Sequence, residues 1–292
     1  MKIYDGFLFF NELDLLDLRL NTLNHIVDYF VLVESSVTHS GKSKTFIFEE
    51  NKKLFEKFLN KIIHIKVDNT PEDFINLPVL ENNCYKNVCF NNIYKYIQNT
   101  NLFNKYTEKS FGRDFFQKEC VKLGLENCND EDIILFSDLD EIPNPEYLER
   151  LNEFFSPDEF YSFNQKHYCY YFNLLSINHN NDNIWIGSKM SSFKKIKNYS
   201  LNELRTQRND INLINGGWHF SYMGGLEKVK VKMQSFSHQE CNTEKINFNI
   251  EDMFLNNKKV DFRGNKSELV QIDDSYPKYL KENLEKFKKY IK

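Results

Sequence analysis

The residues best suited to chemistry follow an apolar run at positions 133–136. That run, Ile-Ile-Leu-Phe, leads into Ser137 and then into Asp138 and Asp140. Alternate side chains of an extended chain point the same way, so the two carboxylates are expected on one side. Carboxylates this close repel each other unless a cation lies between them. Oxygen ligands favour hard divalent ions such as Mg²⁺ or Mn²⁺, often shared with substrate phosphates. The sequence therefore predicts a metal site at Asp138 and Asp140.

An ordinary acidic turn between a strand and a helix is the alternative for this segment. In that interpretation Asn144 or Asp140 only helps to start a helix over residues 145–155. The apolar run before Asp138 favours the ligand interpretation. A run that is apolar on both faces is typical of a central strand in a parallel sheet. Ligands of such sheets lie beyond the carboxyl ends of the strands.

A second candidate segment, residues 215–228, contains two glycine pairs at 216–217 and 224–225. Glycine pairs permit positive φ and close backbone approach, and a helix N-terminus binds anions. His219 is therefore predicted as a nitrogen ligand to the cation, and Lys228, in the first turn of the next helix, as a contact to a diphosphate. The alternatives are a core histidine beside Trp218 and a solvated helix lysine.

A third cluster, residues 235–240, brings an imidazole and a carboxylate together. His238 and Glu240 are expected on a loop between two helices. Loops on a rigid scaffold often carry catalytic groups. The same pattern also occurs in loops without a catalytic role.

The elements that must position these groups alternate between strand and helix. Strands are expected over residues 3–10, 29–34 and 62–67, and helices over residues 13–23, capped by Asn11, and 52–60. Later helices are expected over residues 85–106 and 111–123, and later strands over residues 160–172 and 184–196. This order predicts a doubly wound α/β sheet.

The polar segment 34–43 follows the second strand and is a further candidate ligand loop. Gly41, Lys42 and Ser43 resemble the end of a P-loop, but Ser36 stands where that motif needs glycine. The segment therefore does not predict a nucleoside-triphosphate site.

Composition narrows the class of protein and its partners. The chain has 292 residues with 41% hydrophobic content, enough for a sizeable core, and its net charge of −4 argues against nucleic acid or anionic membrane as a partner. Its six cysteines lack any Cys-x-x-Cys spacing, which disfavours a zinc cluster and favours a reducing cytosol. The N-terminus resembles no signal peptide, and no apolar stretch reaches the length of a membrane span. We therefore expect a cytoplasmic protein.

Several motifs together resemble glycosyltransferase family 17, the family of the β-1,4-mannosyl-glycoprotein β-1,4-N-acetylglucosaminyltransferase. They are the segments at 4–14, at 33–42, at 137–143 (Ser-Asp-Leu-Asp-Glu-Ile-Pro), at 217–221 (Gly-Trp-His-Phe-Ser) and at 235–240 (Ser-Phe-Ser-His-Gln-Glu). They occur in the order found in the family and extend over residues 1–281.

The resemblance implies a GT-A-like, Rossmann-like fold with a mostly parallel central sheet, in a single domain over residues 1–292. Residues 1–142 would form the nucleotide-sugar-binding half and residues 143–292 the acceptor-side half. It further implies an inverting transfer from a UDP-sugar, UDP-GlcNAc by analogy, to a glycan or glycoprotein acceptor, with Mn²⁺ or Mg²⁺ bound by Asp138, Asp140 and His219. Lys228 resembles the phosphate-binding lysine of glycogenin-like enzymes. The animal member is membrane-anchored in the Golgi and this sequence shows no anchor, which bears on the acceptor.

An inverting transfer also needs a carboxylate base and a nucleotide pocket. The candidates for the base are Glu240, Asp210 and Glu141. The residues expected to contact the nucleotide sugar follow the first two strands or lie in the later segments: Asn11, Glu12, Glu34, Lys42, Arg113, Asp138, Lys228 and His238.

Two other classes of protein remain compatible with the sequence. One is a haloacid-dehalogenase-type phosphohydrolase with Asp138 as nucleophile, although that motif rarely continues into Ile142 and Pro143. The other is a non-catalytic carbohydrate-binding protein, to which the 15% aromatic content is suited.

Overall fold

One sheet of ten strands organises the fold in this computed structural model, which describes residues 1–72, 74, 77–81, 84–99, 109–208, 211–256 and 260–292. The strands are β1 (Ile3–Leu8), β2 (Tyr29–Ser35), β3 (Ile62–Val67), β4 (Ile133–Asp138), β5 (Glu141–Pro143), β6 (Tyr161–Cys169), β7 (Leu174–Ile177), β8 (Ile184–Ser192), β9 (Asn212–Ser221) and β10 (Lys266–Leu269). Their order is β10-β7-β6-β8-β4-β1-β2-β3, with β9 beside β6 and β5 beside β9.

The half of the sheet built from the N-terminal strands is parallel and the other half is mostly antiparallel. β1 pairs in parallel with β2 and β4, and β2 with β3. β8 then runs antiparallel to β4, and β6 antiparallel to β8, whereas β9 runs parallel to β6. The predicted α/β class is confirmed, and the sheet as a whole is mixed.

The helices of the described ranges cover both faces of the sheet. They are α1 (Leu13–Leu23), α2 (Ile47–Asn51), α3 (Tyr85–Asn99), α4 (Lys109–Glu119), α5 (Pro145–Glu149), α6 (Leu151–Phe154), α7 (Phe193–Ile196), α8 (Leu201–Thr206), α9 (Gly225–Met233), α10 (Glu244–Leu255) and α11 (Lys278–Glu282), with 3₁₀ turns at Lys52–Phe58, Cys120–Gly124, Gln239–Cys241 and Lys288–Tyr290. Ile133 and Leu135 of β4 pack on the α1 side, while Ile134 and Phe136 pack on the side of α3 and α4. β4 is therefore buried on both faces, as its apolar run predicts.

Several predicted boundaries differ from the structure, and the helix expected over residues 145–155 forms as α5 and α6. Residues 193–196 form α7 instead of extending β8, because the Ser192 hydroxyl accepts a hydrogen bond from the Lys195 N–H and caps a new helix. The segment expected as a helix over residues 52–60 forms a 3₁₀ turn at Lys52–Phe58, and the α-helix α2 precedes it at Ile47–Asn51. Asn11 does not cap α1, whose cap position is Glu12. Residues 100–106 of the expected long helix lie outside the described residues.

Neither a disulfide nor a membrane-spanning helix occurs in the part of the chain described here. All six cysteines are free thiols. None of the helices in the described ranges combines the length and apolar content needed to cross a bilayer. The division of a single domain into halves at residue 142 stays a prediction.

Candidate functional site

A cleft of about 500 Å³ opens where the parallel strands end. Leu8 of β1 lies opposite Asp138 of β4 and opposite Val33 of β2, so the three strands end at one edge of the sheet. The cleft is lined from this edge, from α4, from α9 and from the loop after α9. Its size falls within the range of small-molecule sites, and its place follows the rule for open α/β sheets.

Arg19 of α1 fixes the loop that carries the two aspartates. Its guanidinium is fully buried and donates to both carboxylate oxygens of Asp5, at 2.8 and 2.6 Å. The same group donates to the backbone oxygens of Asp138, Leu139 and Glu141, at 3.1, 3.1 and 2.8 Å. One side chain thus holds the turn from β4 to β5 against β1.

Asp138 stands at the mouth of the cleft with its side chain 40% exposed and is paired with Arg205 of α8. Arg205 Nη2 lies 2.8 Å from Asp138 Oδ2 and also bonds Glu141 Oε1, which accepts from Trp185 Nε1 at 2.5 Å. Burial alone would raise the pKa of the Asp138 carboxyl, but Arg205 and Lys118 hold it well below its usual range. Asp138 is therefore a carboxylate at neutral pH.

Asp140 lies deeper and faces two nitrogen-bearing groups. Lys232 Nζ donates to its Oδ2 at 2.9 Å and lies 3.7 Å from Glu12 Oε1. His219 Nε2 lies 3.7 Å from its Oδ1. Burial raises the pKa of the Asp140 carboxyl against the opposing effect of Lys232. The predicted pairing of Asp140 with His219 is thus present in the structure, together with a lysine.

The short strand β5 brings His219 to this position. Glu141 of β5 lies opposite His219 of β9, and the N–H of Phe220 donates to the Asp140 carbonyl at 2.8 Å. The His219 ring stacks on His167, with centroids 4.7 Å apart, and packs at a tilt of 36° against Trp185, with centroids 4.6 Å apart. Burial, reinforced by His167 and Lys232, lowers the pKa of His219 well below its usual value. The imidazole is neutral and can act as a ligand.

These groups fit a divalent ion that takes some of its ligands from a bound phosphate. Asp140 Oδ1 and His219 Nε2 are the two protein donors that face each other, and His219 Nδ1 is buried without a hydrogen-bond partner. Within the described ranges no group of three or more His, Cys, Asp or Glu is arranged to hold a metal ion. An ion here would depend on phosphate oxygens or water for the rest of its coordination.

Six side chains that line the cleft are basic and four are acidic. The basic ones are Lys44, Lys118, Arg205, Arg208, Lys232 and Arg263, and the acidic ones are Glu12, Asp114, Asp138 and Asp140. The cleft is therefore positive although the whole chain carries −4. This balance favours an anionic ligand.

Several side chains predicted to contact the nucleotide sugar do not line the cleft. Glu34 is fully buried, where its carboxylate pairs with Lys44 Nζ at 3.0 Å and accepts from the Phe48 N–H at the start of α2. Arg113 turns toward the carbonyl of His39 at 3.3 Å. Asn11, Lys42 and Lys228 also lie outside the lining. Of the predicted contacts, Glu12, Asp138 and His238 line it.

The three candidate bases differ in position. Glu141 is fully buried in its bonds to Arg205 and Trp185 and does not line the cleft. Asp210 lies outside the described residues. Glu240 lies just beyond the lining, where its Oε1 is 2.6 Å from His238 Nδ1, and His238 itself faces the cleft. Both members of this pair are about half exposed.

Sequence reasoning missed Arg19, Arg205 and Lys232. Lys232 follows Lys228 by four residues on α9, so the two lysines lie on the same face of the helix. This spacing could have indicated Lys232 as a second candidate. The Lys228 side chain lies over Gly224 instead, away from the cleft. Nothing local marks Arg19 or Arg205, whose contacts with Asp138 span 119 and 67 residues of the chain.

Comparison with known proteins gives one family match and several matches among solved structures. The family model described as Glycosyltransferase family 17 matches residues 1–86 and 77–262. Comparison with curated proteins returns no match. Among solved structures, the crystal structure of S. aureus TarS 1-349 matches with 14% identity and a TM-score of 0.35, covering 88% of this chain and 71% of that one. A score this low does not support comparison of individual residues.

Proposed function

The chain belongs to glycosyltransferase family 17, and from this we propose that it transfers a sugar from a UDP-sugar, UDP-GlcNAc by resemblance to its family, to a hydroxyl of a glycan acceptor with inversion. It is a glycosyltransferase, and the proposal concerns donor, metal and stereochemistry. The observation that carries it is the positive cleft at the ends of β1, β2 and β4, with Asp138, Asp140, His219 and Lys232 directed into it.

A phosphohydrolase with Asp138 as nucleophile fits these contacts poorly. Its Oδ2 already accepts from Arg205 at 2.8 Å. A guanidinium on the attacking carboxylate would lower its nucleophilicity, because the depressed pKa reflects a stabilised anion. Membership of the family excludes this alternative and the non-catalytic one.

Sugar transfer leaves a nucleoside diphosphate, so negative charge grows on a phosphate oxygen in the transition state. Groups aimed at that oxygen lower the barrier more than groups that bind the ground state equally well. Lys232 is the proposed residue for this role, because Asp140 and Glu12 hold its ammonium at the floor of the cleft. It takes the role that the sequence alone assigned to Lys228.

Asp140 and His219 are the residues proposed to hold Mn²⁺ or Mg²⁺, with Asp138 nearby. The ion would supply charge neutralisation to the diphosphate. The depressed pKa of His219 supports this assignment because it keeps the imidazole neutral. Asp138 is also free to contact the ribose, since its side chain is 40% exposed.

The base proposed for the acceptor hydroxyl is the pair His238 and Glu240. His238 faces the cleft and Glu240 lies behind it at 2.6 Å, so the imidazole would take the proton and the carboxylate would orient the ring. The sequence analysis instead names Glu240 itself as the base. That assignment also predicts a loss of turnover when Glu240 is substituted.

Donor binding tests the proposed function. At about a hundredfold over its dissociation constant, the correct UDP-sugar should stabilise the folded chain by roughly 2.7 kcal/mol. The measurement is the melting temperature across a panel of nucleotide sugars, with Mn²⁺ and with a chelator. If no nucleotide sugar raises the melting temperature in Mn²⁺, the donor proposal is refuted. If the melting temperature rises equally in the chelator, the proposed metal dependence is refuted.

Glu240→Gln is expected to lower turnover by about 10²–10⁴-fold, because it disables the base formed by His238 and Glu240. Donor affinity should be unchanged, because a base acts only in the transition state. Turnover is measured as release of UDP. The matched control is Glu149→Gln, because Glu149 lies 2.9 Å from His25 in a pair of similar exposure outside the cleft. Asp210→Asn should be assayed beside it. If Asp210→Asn loses turnover and Glu240→Gln keeps it, the base is Asp210.

A further inference from the structure

Arg263 reaches the cleft from a rigid turn that precedes β10. The Asp261 carboxylate accepts from the backbone N–H groups of Arg263 and Asn265, both at 2.9 Å, and from Asn265 Nδ2 at 3.0 Å. Gly264, at φ +85°, donates its N–H to the Asp261 carbonyl at 3.0 Å and closes the turn. Asp261 itself is buried. The backbone at Arg263 is thus held in one place.

The Arg263 guanidinium lies among aromatic rings. Its Cζ is 5.1 Å from the ring centroid of Phe262, 5.8 Å from that of Tyr222 and 6.0 Å from that of Trp185. No carboxylate of the described residues forms an ion pair with it. Planar guanidinium groups stack on aromatic faces and keep their N–H edge available for a carboxylate or phosphate.

This surrounding distinguishes Arg263 from the basic residues near the strand ends. Lys232 is paired with Asp140, Arg205 with Asp138, and Lys118 with Asp114. The excess positive charge of the cleft therefore lies at Arg263 and at Arg208, neither of which pairs with a carboxylate of the described ranges. An anion bound at Arg263 would displace no ion-paired carboxylate of the described ranges, because the nearby Asp261 carboxylate accepts from the N–H groups of Arg263 and Asn265 instead.

The aromatic wall connects Arg263 to the proposed reaction centre. Trp185 is partly exposed, lines the cleft and packs at a tilt against His219, with ring centroids 4.6 Å apart, while His219 faces Asp140. A sugar ring can pack on such a face while an attached acidic group reaches the guanidinium. The family match ends at residue 262, one residue before Arg263.

We propose that Arg263, with the Trp185 and Tyr222 rings, forms an acceptor subsite for a sugar that carries an anionic group, either a carboxylate or a phosphate monoester. The inference rests on the proposed function. It concerns the acceptor alone, and it makes Arg263 a specificity residue and not a diphosphate ligand.

Binding of acidic and neutral sugars to the UDP-saturated protein tests the inference. The probes are p-nitrophenyl β-glucuronide, glucose 6-phosphate and the neutral p-nitrophenyl β-glucoside, titrated by calorimetry or ligand-observed NMR. We expect at least one acidic probe to bind about tenfold more tightly than the neutral one, as for one charged hydrogen-bonded contact. The first two probes separate a carboxylate from a phosphate.

Arg263→Gln should remove this preference and leave the affinity for the neutral sugar and for UDP unchanged. Arg263→Lys should retain part of it, because a lysine keeps the charge and loses the fork. The matched control is Lys266→Gln, which removes one positive charge three residues away and outside the cleft. It should keep the preference.

Three results would overturn the inference. One is equal binding of acidic and neutral probes by the unmodified protein. Another is a preference that persists in Arg263→Gln. The third is a loss of UDP affinity in Arg263→Gln with normal folding, which would assign Arg263 to the diphosphate. Failure of UDP to bind the unmodified protein would instead refute the donor proposal.

Discussion

Asp140→Asn is expected to lower the rate of sugar transfer by about 10²–10³-fold, the range found when one preorganised electrostatic group is removed from an active site. Asp140 is the contact shared by His219, at 3.7 Å, and Lys232, at 2.9 Å. Asparagine keeps the shape but lacks the negative charge that attracts a divalent ion and stabilises the ammonium of Lys232. Transfer should also lose its dependence on Mn²⁺.

The measurement is UDP release from UDP-GlcNAc across a Mn²⁺ titration, with the melting temperature to establish folding. Asp274→Asn is the matched control, because the Asp274 side chain is fully exposed and distant from the cleft. Asp138→Asn should retain more of the Mn²⁺ dependence. Full activity of Asp140→Asn with unchanged Mn²⁺ dependence would contradict the site assigned here.

Two lysines on one helix separate the role of Asp140 from a general effect of charge. Lys232→Met removes the ammonium that Asp140 holds in the cleft, whereas Lys228→Met removes one four residues earlier that lies outside it. The first should reproduce a large part of the loss seen in Asp140→Asn, and the second should not. Equal effects would mean that only the net charge of α9 matters.

Local sequence patterns were enough to predict several strands, helices and turns of the fold. The continuous apolar run of β4, the leucines of α1 at helical spacing and the glycine pairs around β9 are signals of a buried strand, a helix and turns. The error at residues 193–196 has the same origin. An apolar residue after Ser192 continues a strand pattern, and only the hydrogen bond to Lys195 N–H reveals the helix.

The site residues that lie next to a strand end could be predicted from the sequence. Those that tertiary packing brings from distant segments could not. Asp138 ends β4, Asp140 lies two residues after it and Glu12 lies four residues after β1, and the register of β1 on β4 brings them together. Arg205 comes from a six-residue helix after β8, and its partner follows from tertiary packing alone. Glu34 was misjudged because a polar residue after a strand can equally be buried against a lysine.

Arg19→Met is expected to be the most destabilising single substitution, by about 3–5 kcal/mol, the cost of leaving one partner of a buried ion pair without the other. The Arg19 and Asp5 side chains are both fully buried and 2.6 Å apart. Three backbone carbonyls of the turn from β4 to β5 would also lose their donor. Buried acceptors left without a donor add to the penalty.

The free energy of unfolding is measured by urea titration, with Arg150→Met as the matched control. Arg150 forms its ion pair with Glu153 on the surface, where both side chains are more than half exposed, so its loss should change the free energy of unfolding little. Arg19→Lys keeps the charge but loses the planar fork of N–H donors, so its loss of stability should lie between those of Arg19→Met and Arg150→Met. This variant can still be measured if Arg19→Met does not fold. In Arg19→Lys the affinity for UDP in Mn²⁺ should fall as well, because the turn that carries Asp138 and Asp140 loses its anchor. A cost for Arg19→Met no larger than that for Arg150→Met would show that the loop is held by other contacts.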